Sequence, residues 1–137
     1  MFRSLLAILA GLVTLTVASF AIEAVADPLL MHLFPRALPD VAALSRSLPA
    51  NLVMFAYTFG SIVLGGYVSA WIAKRAKVRH AVVMGMIEAL FTVWLLSTRF
   101  HQAPLLSLIK GVVVSIPSAW LGGVLRARRA PRVAETA

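Results

Sequence analysis

The chain contains no cysteine in its 137 residues. This absence excludes disulfide bonds, zinc sites built from thiolates and cysteine nucleophiles. It leaves the cellular compartment open, because a chain without cysteine fits an oxidising or a reducing environment. Charged residues are also scarce, at 13% of the chain, and only five residues are acidic.

Clustered histidines and catalytic motifs are missing as well. The histidines His32, His80 and His101 are scattered, and none is at ligand spacing from another histidine or a carboxylate. The chain has no G-x-S-x-G, no H-E-x-x-H and no glycine-rich loop followed by Lys-Ser/Thr. We therefore expect no metal site, no cofactor and no enzymatic activity.

Apolar residues are abundant. They make up 61% of the chain, and the mean hydropathy is +0.91. A soluble domain is about half apolar and about a quarter charged. Because so short a chain cannot bury this much apolar surface in a water-soluble core, lipid must solvate part of it. The composition predicts an all-α, polytopic membrane protein with four transmembrane helices in one bundle.

Four apolar stretches are long enough to cross about 30 Å of hydrocarbon. They lie at about 5–26, 51–73, 80–98 and 104–126, within a transmembrane domain 1–126 that precedes a basic cytoplasmic tail, 127–137. Pro104 suits the first turn of the fourth span, and Pro117 should kink that span. An alternative for residues 1–26 is a cleaved signal peptide, because Ala24-Val25-Ala26 resembles a cleavage site.

The loop 27–49 contains four of the seven prolines, so it cannot form one continuous helix. Pro39-Asp40 is a suitable start for a short interfacial helix with Val41, Leu44 and Leu48 on one face. The alternative is an irregular loop outside the cytoplasm.

Lys and Arg are distributed unevenly between the two sides of the predicted spans. Nine of the thirteen flank the spans on one side, three lie on the other, and Lys110 is inside the fourth span. This bias predicts a multi-pass inner-membrane protein with both termini cytoplasmic. Anionic lipids are candidate partners of the basic clusters. The residues concerned are Lys74, Arg75, Lys77, Arg79, Arg126, Arg128 and Arg129. We do not expect nucleic-acid binding, because these residues flank spans and no soluble domain accompanies them.

Small residues recur at every fourth position in the second and fourth spans. The two ladders are Ser61, Gly65, Ser69, Ala73 and Ser107, Gly111, Ser115, Ala119, Gly123, Ala127. In lipid, helices associate where small residues let their backbones approach, so the two spans should touch at Gly65 or Ser69. The longer ladder drifts by about 40° per step, so its two halves should meet different helices. The alternative explanation is that small residues are common in membrane helices.

Three ionisable residues lie within the predicted spans: Glu23, Glu88 and Lys110. Such groups are costly in lipid, so each is a candidate for a functional polar site. The alternative is an ion pair that fixes helix register, which is favoured for Glu23 near the outer end. The rise per residue and the lean of side chains toward helix N-termini predict that Lys110 pairs with Glu23. Glu88 is then left without a cation and should bond to a hydroxyl or a carbonyl group.

In size, span number and the acidic residue of the first helix, the chain resembles the small multidrug resistance transporters. Their glutamate lies deep in the first helix, whereas Glu23 lies near the outer edge, so no residue role is carried over. AIEAVADPLL (21–30) and LGGYVSAWIAKR (64–75) resemble uncharacterised four-helix bacterial inner-membrane proteins, a likeness that implies no function. We therefore expect a non-catalytic accessory protein that packs against a membrane-protein partner or itself. The alternative is a small proton-linked transporter or channel that uses Glu88.

Overall fold

The computed structural model describes residues 2–73, 75–99 and 105–129. Within these residues all regular structure is helical, and the all-α prediction is confirmed. The helices are α1 (Phe2–Leu33), α2 (Val41–Arg46), α3 (Leu48–Ile72), α4 (Lys77–Arg99) and α5 (Leu105–Arg128). The side chains of residues 41, 42, 45, 96, 99 and 105–110 lie outside the description.

Three of the four long helices are long and apolar enough to cross a membrane. The qualifying segments are Phe2–Leu33, Leu48–Ile72 and Lys77–Leu95. The fourth predicted span coincides with α5, which has 24 residues and contains Pro117. At 1.5 Å per residue α5 is about 36 Å long.

The first helix extends beyond the predicted span. It continues through Pro28 to Leu33 instead of ending at Ala26. Pro28 cannot donate a backbone hydrogen bond, yet one missing bond is tolerated because Leu30 and Met31 in the next turn pack on a small apolar cluster. The helix ends where the Leu38 amide bonds to the Phe34 carbonyl oxygen at 2.8 Å, which forms a turn.

The short helix expected after Pro39 is present as α2. The Asp40 side chain accepts a bond of 2.6 Å from the Ala43 amide and so caps the helix N-terminus. Leu44 is 2% exposed and packs with Leu38 and Ala50. Leu48, in contrast, is 69% exposed and belongs to α3. The expectation of one face shared with Leu48 is therefore wrong, because the extended backbone of Ser47 separates the two helices.

The four long helices form a bundle in which α3 packs between α1 and α5. Helix α4 packs most extensively on α5, less on α3 and least on α1. Among the described residues α1 and α5 do not contact each other, so they lie diagonally across the bundle. The chain reverses direction at each connection, which places Arg3, Arg75 and Ala127 together at one end. We call this the basic end, and α2 lies at the opposite end.

Glycines bring α1, α3 and α5 into backbone contact. A Cβ built on Gly11 would lie 2.9 Å from the Gly65 carbonyl oxygen and 2.8 Å from the Ser69 Cβ. On the other side of α3, a Cβ on Gly66 would lie 2.9 Å from the Ala119 Cα. Helices α3 and α5, which coincide with the second and fourth predicted spans, therefore touch, and the predicted contact between these two segments is confirmed. The residue that these contacts bring against the longer ladder is Gly66, whereas Gly65 and Ser69, the expected contact residues, face α1.

The longer small-residue ladder lies along α4. Gly111 meets Thr92, and Gly123 meets Val78 and Ala81. Helix α4 stays beside α5 from Gly111 to Gly123, so both halves of this ladder meet the same helix, contrary to the expectation, and Ala119 in the second half also meets α3 at Gly66. Its first member, Ser107, lies outside the described side chains.

Candidate intramembrane polar site

Two clefts open between the helices in the half of the bundle nearer α2. The α5-side cleft, of about 210 Å³, lies between α3, α4 and α5. The α1-side cleft, of about 440 Å³, lies between α1, α3 and α4. Thr58 of α3 and Glu88 of α4 line both clefts. These two side chains therefore form the boundary between them.

Glu88 is the polar group at this boundary. It is partly buried, and the Thr92 hydroxyl one turn along α4 donates a long hydrogen bond of 3.4 Å to Oε1. A Cβ built on Gly111 would lie 2.6 Å from Thr92 Cγ2, so α5 limits how Thr92 can turn. Sequence reasoning expected a hydroxyl or carbonyl partner for Glu88, and Thr92 provides the hydroxyl.

Glu23 lines the α1-side cleft together with Glu88. Asp27 lies one turn along α1, and the Tyr57 hydroxyl of α3 is beside the Glu23 carboxyl group. That hydroxyl lacks the geometry of a complete hydrogen bond, and Asp27 Oδ1 is likewise buried without a partner among the described atoms. Two carboxyl groups and a phenol thus lie together where α1 and α3 pack.

The predicted pair between Lys110 and Glu23 falls on a side chain outside the described ones. The Lys110 backbone belongs to α5, directly before Gly111 in the lining of the α5-side cleft. Glu23 lines the other cleft. The pairing therefore stays a prediction.

Sequence reasoning missed Thr58, Thr92, Tyr57 and Asp27. Threonine and tyrosine are uncharged, so they do not stand out in an apolar span, although Thr92 and Asp27 are each four residues from a glutamate and therefore on its helix face. Thr58 lies beside Glu88 only because of the way α3 packs on α4, which the sequence does not show. Within the described residues no three histidine or acidic side chains lie close enough to hold a metal ion.

Most of the predicted lipid-contacting residues lie at the basic end. Arg75, Lys77 and Arg79 belong to the α3–α4 connection and the first turn of α4. Arg126, Arg128 and Arg129 are at the end of α5. Lys74 lies outside the described residues.

The fold and the site define an all-helical protein with three helices suited to cross a membrane and a polar group between two internal clefts. Compared with known protein families, curated proteins and solved structures, the chain matches none.

Proposed function

We propose that this chain is a four-span inner-membrane protein with both termini in the cytoplasm, and that it acts without catalysis by packing against a partner in the bilayer, either another membrane protein or a second copy. Helix α5 is the fourth span in this proposal. Its length of about 36 Å and its position against α3 and α4 support that assignment. The nine-to-three excess of Lys and Arg supports the orientation.

The observation that carries the packing role is the environment of Gly60. Seven of the eight glycines have neighbouring helix atoms within contact distance of an added Cβ, whereas Gly60 has none within 4 Å. Ala56, one turn earlier on α3, is also exposed. Elsewhere in this bundle such small-residue surfaces are where another helix lies. In lipid they are the surfaces on which helices associate.

Replacing Gly60 by leucine tests this role. The added side chain would extend over the open surface and block close approach of a partner helix, and its Cβ would meet no atom of the bundle within 4 Å, so we expect the bundle to stay folded. We expect lysine- and photo-reactive cross-linking in native membranes to trap a complex with the original chain and to lose it with Gly60→Leu. Ala21→Leu, at an exposed position of α1, is the matched control and should keep the complex. An unchanged complex in Gly60→Leu would contradict the proposal.

The orientation has a separate test. The chain has no native cysteine, so single cysteines at Ala37 and Lys77 report on the two ends of the bundle. An impermeant thiol reagent should label intact cells at position 37 and leave position 77 unlabelled. The reverse pattern would contradict the assigned orientation. The intact mass of the purified chain would also show whether residues 1–26 are removed.

A second candidate function is proton-linked transport or conduction through Glu88. It is favoured by the position of this carboxyl group in the lining of both clefts. Glutamine has the same shape but cannot release a proton. In proteoliposomes Glu88→Gln should therefore abolish proton flux if the chain conducts protons. Asp40→Asn makes the same chemical change outside the clefts and keeps a good helix cap, so it should not alter the flux. Equal flux in the original chain, in Glu88→Gln and in protein-free liposomes would exclude this function.

A further inference from the structure

A cleft at the basic end lies between the first turns of α1 and α4. Its volume is about 340 Å³, within the range of small-ligand sites. Buried Ala73 contributes to its wall, and exposed arginines from two separate elements reach it. The lining residues are Arg3 and Ser4 of α1, Ala73, Arg75 and Ala76 of the α3–α4 connection, and His80 of α4.

Helix ends add positive potential to this cleft. Helices α1 and α4 both begin here, and neither has an acidic residue in its first turn. The first backbone N–H groups of a helix have no partner within the helix, and its N-terminus carries about half a positive charge. Helix α3 ends at the same place and supplies one negative end. Two helix N-termini and two guanidinium groups outweigh it.

No carboxylate of the described residues neutralises this end. Glu23 lies beside Tyr57, Asp27 is one turn farther from the basic end, and Glu88 borders the two clefts. Asp40 caps α2 at the opposite end. Among the described residues Arg3 and Arg75 therefore have no acidic counter-charge beside them, and an anion is the group that complements them.

We propose that this cleft binds a phosphoryl group, held by the guanidinium groups of Arg3 and Arg75. Arginine matches phosphate because its N–H groups form two parallel hydrogen bonds to phosphate oxygens. The His80 ring is held by its Nδ1, 3.0 Å from the Ala76 carbonyl oxygen, and completes the wall. An anionic lipid headgroup and free phosphate share this chemistry, and titrations with each of them distinguish the two sources. The site does not depend on the proposed packing role.

A phosphoryl site in this cleft differs from a diffuse attraction of lipid to the basic residues. The cleft includes Arg3, which lies near the start of the sequence, far from the basic tail. It also includes Arg75 but not Arg79. Arg79 lines a neighbouring groove with Lys77 and Ala127 and takes no part in the wall of the phosphoryl cleft. Arg75 and Arg79 are both exposed and carry the same charge at the same end, which makes them a matched pair.

Native mass spectrometry of the full chain in a non-ionic detergent tests the site. The protein is titrated in separate arms with phosphatidylglycerol, phosphatidylcholine and inorganic phosphate. We expect phosphatidylglycerol to bind more tightly than phosphatidylcholine, and Arg3→Gln and Arg75→Gln each to weaken it about fivefold. Arg79→Gln should weaken it less than twofold. Binding of inorganic phosphate with the same dependence on Arg3 and Arg75, without preference for the lipid, would identify free phosphate as the source.

Equal weakening by Arg75→Gln and Arg79→Gln would overturn the proposal, because it indicates a diffuse basic surface. Binding of neither anion would overturn it as well. A measurement on the unaltered chain guards against misfolded variants. Phosphatidylglycerol should slow modification of His80 by diethylpyrocarbonate and leave exposed His32 unaffected. Equal rates at His80 with and without the anions would contradict the site.

Discussion

The helices pack closely in one half of this bundle and leave clefts between them in the other half. The half next to the basic end, which we call the tight half, has glycine-mediated backbone contacts on both faces of α3. The half next to α2, which we call the open half, has two clefts with Glu23, Thr58 and Glu88 in their linings. All three buried residues of α1, Ala7, Gly11 and Leu15, lie in its first half.

The difference agrees with how helices associate in lipid, the environment that we propose for this bundle. Burying apolar surface gives helices little advantage there, so close packing depends on backbone approach at small residues. Where Gly11, Gly65 and Gly66 occur, the helices meet. Where Glu88 and Thr58 lie between the helices instead of glycines, the helices are farther apart and the two clefts remain beside these polar groups. The halves should therefore respond differently to added volume.

The largest effect is expected from leucine at Gly122 in the tight half. A Cβ there would meet the Val63 carbonyl oxygen and lie 2.7 Å from the Tyr67 backbone nitrogen, neither of which can move alone. We expect Gly122→Leu to lower the free energy of unfolding by at least about 3 kcal/mol. Thermal unfolding in detergent measures this loss. Gly60→Leu on α3 is the control and should change stability by less than about 0.5 kcal/mol. Similar losses in both variants would remove the distinction between packed and open surfaces.

Alanine substitutions at two glycines compare the two halves of the bundle along the interface between α4 and α5. In the tight half, a Cβ on Gly85 would lie 2.9 Å from the Ser115 carbonyl oxygen, which is backbone. In the open half, the atoms that a Cβ on Gly111 would meet are side-chain atoms of Thr92, not backbone. Alanine gains about 0.5–1 kcal/mol over glycine in a helix, which offsets part of each cost. We expect Gly85→Ala to destabilise by about 2 kcal/mol and Gly111→Ala by less than about 1 kcal/mol in the same assay. A larger loss from Gly111→Ala would contradict the comparison.

The end of the open half depends on α2. Asp40→Ala removes the bond to the Ala43 amide and should cost about 1 kcal/mol, mostly as local loosening of α2. Hydrogen exchange should accelerate at residues 43–46 and stay unchanged around Gly65. Asp40→Asn keeps a capping side chain and serves as the control. Faster exchange throughout the bundle would show instead that α2 supports the whole fold.

The smallest effect is expected where a buried hydroxyl has no partner. Ser69 is fully buried in the tight half, and its Oγ forms no hydrogen bond with any described atom. Removing such a group avoids its desolvation cost, so Ser69→Ala should be neutral or stabilising by up to about 1 kcal/mol. Ser118 is the matched control, because its Oγ donates a bond of 2.6 Å to the Val114 carbonyl oxygen. Ser118→Ala should be neutral or mildly destabilising. Marked destabilisation by Ser69→Ala would indicate a polar partner for its hydroxyl.

The sequence by itself determined the helical class. Continuous apolar runs with few charges leave the backbone to bond within each segment, which in lipid means a helix. Pro39-Asp40 likewise predicted α2, because an Asp side chain caps a helix start through local bonds. The predicted first span ends at Ala26, whereas helix α1 continues to Leu33, because the contacts of Leu30 and Met31 that support the helix past Pro28 are not local.

Only the tertiary structure decided which small residues meet. Gly65 and Gly66 are neighbours in the sequence, yet they point about 100° apart around α3 and contact different helices. The ladder pattern identified Gly65 and could not assign its partner, because that depends on the order of the helices around the bundle. The same reason explains the clefts: Glu88 was recognisable in the sequence, but Thr58 became its neighbour only when α3 and α4 packed. Likewise, Arg3 and Arg75 share a cleft because α1 and α3 run antiparallel, a relation between distant segments that no local pattern records.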